Sequence, residues 1–141
     1  MISRPTIDQQ VTFLYCEDLA ATDAFYAGLL GLDLVLDQGP CRIYRVSGSA
    51  FLGFCRKTAN LAPQRADGVI LTLVVDEQTQ VDQWYDYLMS AGASEMVEKP
   101  PALNPHFNIY PLFLRDSDGY LVEIQAFLDP SWPKHQFRSD I

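Results

Sequence analysis

The chain carries an internal repeat with a spacing close to 60 residues. The same residue classes recur in its two halves in the same order, an apolar strand residue, an aspartate and then two aromatic residues. The matched pairs, each 59 positions apart, are Val11 and Ile70, Asp23 and Asp82, Phe25 and Trp84, and Tyr26 and Tyr85. A repeat of this length constrains the architecture more than any single motif, because both copies must form the same structural unit.

The first half is predicted to form a strand, a helix and three further strands. An apolar run rich in β-formers predicts a strand at 11–16. Asp18 can cap a helix over 19–30, and Gly31 suits the left-handed position that ends it. The three remaining strands are expected at 33–37, 42–46 and 50–56, separated by glycine-containing turns.

The second half repeats this order. A strand is expected at 69–75, and the next segment is apolar at i, i+3, i+4 and i+7, which predicts an amphipathic helix. The apolar positions of that helix are Val81, Trp84, Tyr85 and Leu88. Further strands are expected at 94–98, 107–115 and 120–127, and Asp116 to Gly119 predicts a tight hairpin between the last two.

These elements predict a single α+β domain over residues 1–141. It consists of two tandem β-α-β-β-β modules that form a cupped mixed sheet around a cleft. The modules are expected at about 8–57 and 68–128, with a polar linker at 58–67 and a tail at 129–141. In the tail, Trp132 and Phe137 are expected to dock on the body or on a partner subunit.

Composition excludes several classes of protein. The formal net charge of −8 disfavours nucleic acid and anionic membranes as partners. The sequence has no apolar run of membrane-spanning length and no secretory signal, so a cytoplasmic location is expected. Its three cysteines are odd in number and widely spaced, which predicts free buried thiols at Cys16, Cys41 and Cys55.

Two segments resemble the vicinal oxygen chelate superfamily, which includes glyoxalases, bleomycin resistance proteins and extradiol dioxygenases. Residues 18–32, DLAATDAFYAGLLGL, are similar to the family's D-L-x-x-x-x-x-F-Y-x-x-x-L-G-L pattern. Residues 113–125, FLRDSDGYLVEIQ, are similar to its hairpin, which carries the pattern D-P-D-G-x-x-x-E. Together with the repeat, the resemblance covers about residues 8–128 and implies the cupped-sheet fold.

The family's metal ligands are where this sequence departs from the pattern. The resemblance places them at Val11, at Ile70, near Leu52 or Gly53, and at Glu123, and of these only Glu123 can bind a metal. Three or four protein ligands are usual for a divalent transition metal, so we expect neither a metal nor a cofactor. One alternative stays open: His106 and His135 could join Glu123 in a two-histidine, one-carboxylate site.

Strand alternation indicates which side chains line the cleft. In the family's register, Glu123 faces inward between apolar walls, where it could act as a general base or anchor a ligand. It is our candidate catalytic residue. The candidate ligand-binding residues are Phe13, Tyr15, Thr72, His106, Tyr110 and Gln125.

Three functions follow from the resemblance. The first is a metal-independent protein that binds, and could sequester, a small organic molecule. The second is a lyase or isomerase that uses Glu123 as its base. The third is a metal-dependent enzyme of the glyoxalase or dioxygenase type with relocated ligands. The resemblance also implies a homodimer, whereas the identity of the ligand is left open.

Overall fold

Each half of the chain forms its own four-stranded mixed sheet, as the repeat predicts. The structure, a computed structural model, describes residues 2–57 and 66–133. These residues belong to two compact units, which lie within Met1–Gln64 and Arg65–Ile141. The predicted α+β class and the doubled order of elements are therefore confirmed, while the prediction of one joint domain stays a prediction.

The first unit has the strand order β1-β4-β3-β2, in which β1 and β4 run parallel and the other neighbours run antiparallel. Its strands are β1 (Gln10–Cys16), β2 (Asp33–Asp37), β3 (Cys41–Ser47) and β4 (Ala50–Arg56). Its helix begins as α1 (Leu19–Asp23) and continues in π-helical geometry over Ala24–Leu29. The Asp18 carboxylate accepts a hydrogen bond from the amide of Ala20 at 2.9 Å, which confirms the predicted cap.

The second unit repeats this topology with the order β5-β8-β7-β6, in which β5 and β8 run parallel. Its strands are β5 (Ile70–Val74), β6 (Val97–Lys99), β7 (Ile109–Arg115) and β8 (Leu121–Phe127), and its long helix is α2 (Gln78–Ser90). Short 3-10 turns lie at Ala66–Gly68 and Ser94–Met96. The predicted strand at 94–98 is thus wrong in its first half, which the second of these turns occupies.

The helices explain why the repeat spacing grows along the chain. The first helix has five α-helical and six π-helical residues, whereas α2 has thirteen residues. The two extra residues move the helix-ending glycines, Gly31 and Gly92, to a spacing of 61. Both glycines have positive φ, 76° and 75°, as a left-handed helix terminus requires.

One face of each sheet packs against the helix of its own unit. In the first unit the ring of Tyr26 stacks on Phe54 with centroids 4.5 Å apart, and both side chains have no exposed surface. In the second unit the helix residues Val81 and Leu88 are fully buried. The buried residues on the helix face of that sheet include Leu112, Leu114, Val122 and Ile124. The strand residues that alternate with these buried ones lie on the opposite face of each sheet, away from the helix of that unit. We call this face the distal face.

The prediction of three free thiols is wrong for two of them. Cys41 and Cys55 are direct partners in the β3–β4 register, with Cα atoms 4.1 Å apart, and form a disulfide. Cys16 is buried and takes no part in a disulfide, as predicted. The linear spacing of Cys41 and Cys55 gave no sign of this bond, because only the strand register brings them together.

The tryptophan of the tail is docked on the body, as predicted. The ring of Trp132 stacks on Phe127 at a centroid distance of 3.8 Å. Phe137, His135 and most of the predicted linker at 58–67 lie outside the described residues. Among residues 2–57 and 66–133, no helix combines the length and apolar character needed to cross a bilayer.

Candidate functional site

Glu123 lies at the centre of the distal face of the second sheet. Its Cα partners are Thr72 on β5 and Phe113 on β7, so these three side chains share that face. Glu123 is only 8% exposed. The hydroxyl of Thr72 donates a hydrogen bond to Oε1 of Glu123 at 2.7 Å, which holds the carboxylate in place. The register therefore brings together two of the predicted site residues, Thr72 and Glu123.

Gln125 lies two positions further along β8 on the same face, where its Cα partners are Val74 and Pro111. It is 4% exposed, and its Oε1 has no hydrogen-bond partner within the described residues. A buried carbonyl oxygen without a donor is costly, so this atom is suited to accept a hydrogen bond from a ligand. Gln125 is thus a third predicted residue that the structure places beside Glu123.

Thr72, Glu123 and Phe113 form a row of side chains across the distal face, and this row continues outward to a lysine. Lys99 on β6 is the Cα partner of Phe113, and its Nζ lies over the Phe113 ring, 5.8 Å from the centroid. Such a placement is a cation–π contact. The row of register partners across the sheet therefore runs Thr72, Glu123, Phe113, Lys99.

A cavity of about 330 Å³ lies along the outer part of this row. Its volume is at the lower end of the range for small-molecule sites. The cavity is lined by Lys99, Pro100, Ala102, Leu103, Asn104, Pro105, Pro111 and Phe113. Neither Glu123 nor Gln125 lines the cavity, but two lining residues, Phe113 and Pro111, are their register partners on the neighbouring strand.

The predicted residues of the first unit share the distal face of its own sheet. Tyr15 is the Cα partner of Cys55, and Phe13 is the partner of Gly53. The ring of Phe13 lies over Gly53, where any Cβ would overlap it. Gly53 holds the place in β4 that Glu123 holds in β8. Phe13 and Thr72 are 59 positions apart, which is the repeat spacing, and Phe13 is the register partner of Gly53 as Thr72 is of Glu123. The first unit therefore has an aromatic ring where the second has a hydrogen-bonded acid.

Two other predicted residues lie elsewhere. Tyr110 is on the helix face of the second sheet, and its hydroxyl donates to Oδ1 of Asp82 at 2.7 Å. That hydrogen bond raises the pKa of Tyr110 above its ordinary value. His106 lies exposed in the turn before β7, with its ring edge-on to Phe107. Neither side chain shares the distal face with Glu123, and the geometry does not support their predicted contact with a ligand.

Sequence reasoning missed Lys99 and Phe113. Phe113 could have been found, because counting outward from the predicted hairpin pairs it directly with Glu123. Lys99 could not, because the β6–β7 pairing contains a register shift between Val97 and Lys99 that no pattern in the sequence indicates.

The residues do not fit the family's metal site. Val11, Ile70 and Gly53 carry no donor side chain, and in the described segments 2–57 and 66–133 no three His, Cys, Asp or Glu residues are placed to share a metal ion. His106 does not join Glu123, and His135 lies outside those segments. Glu123 alone supplies one ligand of the three or four that a divalent transition metal usually requires.

Comparison with known proteins gives the family. The model of the glyoxalase/bleomycin resistance protein/dioxygenase superfamily matches residues 7–124. No curated protein matches the chain. The fold is similar to a glyoxalase/bleomycin resistance protein/dioxygenase from Nocardioides, with 22% identity, a TM-score of 0.69, and coverage of 94% of this chain and 90% of that one.

Two further solved structures show the same similarity. A lactoylglutathione lyase from Agrobacterium tumefaciens is 25% identical with a TM-score of 0.66, over 87% of this chain and 96% of that one. A glyoxalase-related enzyme from Fulvimarina pelagi is 23% identical with a TM-score of 0.69, over 87% and 88%. Since the family model spans most of the sequence, the chain belongs to the glyoxalase/bleomycin resistance protein/dioxygenase superfamily.

Proposed function

We propose that the chain is a metal-independent member of this superfamily that binds a small organic molecule on the distal face of the second sheet. The observation that carries the proposal is the pair Glu123 and Gln125, two polar side chains buried to more than nine-tenths on one strand face. Buried polar groups normally have partners, and here Gln125 Oε1 has none within the described residues. A bound ligand would supply the missing donor.

The absence of donor side chains at the family's other ligand positions supports metal independence. Val11, Ile70 and Gly53 would each have to be replaced by a ligating residue to restore a four-residue site. A sequestering role needs only binding, for which a cavity with a few convergent polar groups is sufficient. The family resemblance also leads us to propose a homodimer, which sedimentation of the purified protein would test.

The second candidate function is a lyase or isomerase with Glu123 as general base. Its supporting observation is the Thr72 hydrogen bond to Oε1, which orients the carboxylate and directs proton abstraction to Oε2. Under this function Glu123→Gln abolishes turnover while the ligand still binds. Under the sequestering function the ligand is recovered chemically unchanged after prolonged incubation.

The test combines metal analysis with ligand screening. Protein purified without chelator is expected to contain substoichiometric transition metal, and a small-molecule library screened by NMR should shift the amide signals of β7 and β8. Glu123→Gln should weaken the binding of the hits, whereas the matched control Glu95→Gln, an exposed acid in the same unit, should not. Stoichiometric metal that is lost in Glu123→Gln would overturn metal independence, and a screen without hits on this face would overturn the binding site.

A further inference from the structure

We propose that the ligand of this face is a zwitterion with a flat apolar body, whose anionic end contacts Lys99 and whose amine end contacts Glu123 and Gln125. The inference rests on the proposed function and adds the chemical class of the ligand. It is carried by the row of side chains across the second sheet and by the cavity beside it.

The row places opposite charges on the two sides of an aromatic ring. Glu123 and Lys99 are both register partners of Phe113, so they are two strands apart on one face. Two strand spacings separate their backbones by about 10 Å. Phe113 separates the two residues in the row, and Nζ of Lys99 lies over its ring. A molecule lying along Phe113 would therefore meet a negative group at one end and a positive group at the other.

Lys99 is available to an anion. Within the described residues it forms no ion pair, and its contact is with the Phe113 ring. Its sequence neighbour Glu98 pairs instead with Arg115, whose Nε lies 3.2 Å from Oε1 of Glu98. In a chain with a net charge of −8, an ammonium group at the wall of a cavity without an acidic partner is suited to bind a carboxylate or a similar anion.

The other end of the row requires a donor. The Glu123 carboxylate offers only acceptor oxygens, and the Gln125 carbonyl oxygen is a second acceptor on the same face. An anion placed here would be repelled by the Glu123 carboxylate, and it would leave the Gln125 carbonyl oxygen without a donor. An ammonium group can donate to both, because it carries several N–H bonds.

The wall between the two ends is apolar and rigid. Three of the cavity-lining residues are prolines, and Phe113 presents its ring beneath Lys99. Proline rings and an aromatic face suit a flat ring or a short apolar chain, not a strongly hydrated sugar. The volume of about 330 Å³ limits the occupant to a small molecule.

The experiment compares three probes that share one benzene ring and differ in their charged groups. They are 4-(aminomethyl)benzoate, which carries both charges, 4-methylbenzoate, which lacks the amine, and 4-methylbenzylamine, which lacks the carboxylate. Isothermal titration calorimetry or NMR titration should show the zwitterion binding at least about tenfold more tightly than either single-charge probe. Lys99→Gln should reduce the affinity for the zwitterion to that for the amine, and Glu123→Gln should reduce it to that for the carboxylate.

Lys57→Gln is the matched control, because Lys57 belongs to the first unit and pairs with Glu17. It removes the same charge and should leave the ranking of the probes unchanged. Equal affinities of the three probes, no binding of any, or an unaltered ranking in Lys99→Gln would each overturn the inference. The library screen distinguishes this failure from failure of the proposed function: hits on β7 and β8 that lack one of the charges would preserve the binding site and reject the zwitterion.

Discussion

The hydroxyl of Tyr44 donates a hydrogen bond to Oδ1 of Asp23 at 2.8 Å, which connects β3 to the end of α1. The second unit has the same connection between Tyr110 and Asp82. Tyr44 has no exposed surface, and burial, followed by the hydrogen bond to Asp23, raises the pKa of its phenol well above the ordinary range. The repeated pair joins helix to sheet in each unit.

Replacing Tyr44 by phenylalanine should reduce the free energy of unfolding by about 1 kcal/mol, the net value of a typical intramolecular hydrogen bond. Denaturant titration followed by circular dichroism measures the change. Tyr110→Phe is the matched variant, and its effect should be smaller because that bond is exposed to solvent. A larger loss in Tyr110→Phe would contradict this ordering.

The same residue predicts a pH dependence at alkaline pH. Because the folded-state pKa of Tyr44 is raised, its contribution to stability is fully present below the unfolded tyrosine pKa of about 10. The contribution is lost as the pH rises toward the folded-state pKa. The melting temperature of the original chain should therefore fall above pH ~10 more steeply than that of Tyr44→Phe. Parallel curves for the two proteins would show that Tyr44 does not carry this dependence.

Gly53→Ala should destabilise the first unit, because the new Cβ would overlap the ring of Phe13. The ring is 50% exposed and can move aside, so the cost should be at the lower end of the 1–3 kcal/mol typical of overpacking, about 1 kcal/mol. In a Phe13→Ala background the same change should cost less. A double-mutant cycle gives the coupling, and a coupling near zero would mean that the ring does not require glycine there.

The Cys41–Cys55 disulfide should contribute about 3 kcal/mol, the value that the chain-entropy model assigns to a loop of this length. The two residues are 14 positions apart in sequence. Cys41→Ser and chemical reduction of the original chain should each lower the midpoint of urea unfolding by similar amounts. Reducing agent should have no further effect on Cys41→Ser, and a stability that does not respond to reduction would contradict the prediction.

Asp116→Ala should weaken the hairpin between β7 and β8. The Asp116 carboxylate accepts hydrogen bonds from the amides of Asp118 and Tyr120, each at 2.9 Å, and the residue is 8% exposed. Leaving these donors without a partner should cost about 1–3 kcal/mol. Ser117→Ala, at an exposed position of the same turn, serves as the control and should change stability by less than about 0.5 kcal/mol. Equal effects of the two changes would be inconsistent with this role.

Much of the fold was predictable because its signals are local. The hairpin at Asp116 to Gly119, the cap at Asp18 and the helix-ending glycines each depend on residues close in sequence. The strand at 94–98 was partly wrong because short polar segments at a sheet edge carry no clear period. The Cys41–Cys55 bond depends on register between strands, which the linear spacing of the two residues does not reveal.

The candidate site was predictable only in part for the same reason. Glu123, Thr72 and Gln125 follow from alternation on two strands and one motif, and the structure places them on one face. Tyr110 was assigned to the site from its position near the hairpin, yet it is one residue out of phase with Pro111 and so lies on the helix face. Lys99 reaches the row through an irregular pairing that no sequence pattern indicates.

The Phe13 ring over Gly53 has a consequence for how the two repeats can diverge. An acid introduced at Gly53 alone would meet the ring and could not take the orientation that Glu123 has in the other repeat. Phe13 would have to move aside or become smaller before an acid at Gly53 could take that orientation. The two positions are therefore coupled, and the repeats become alike at this place only when both have changed.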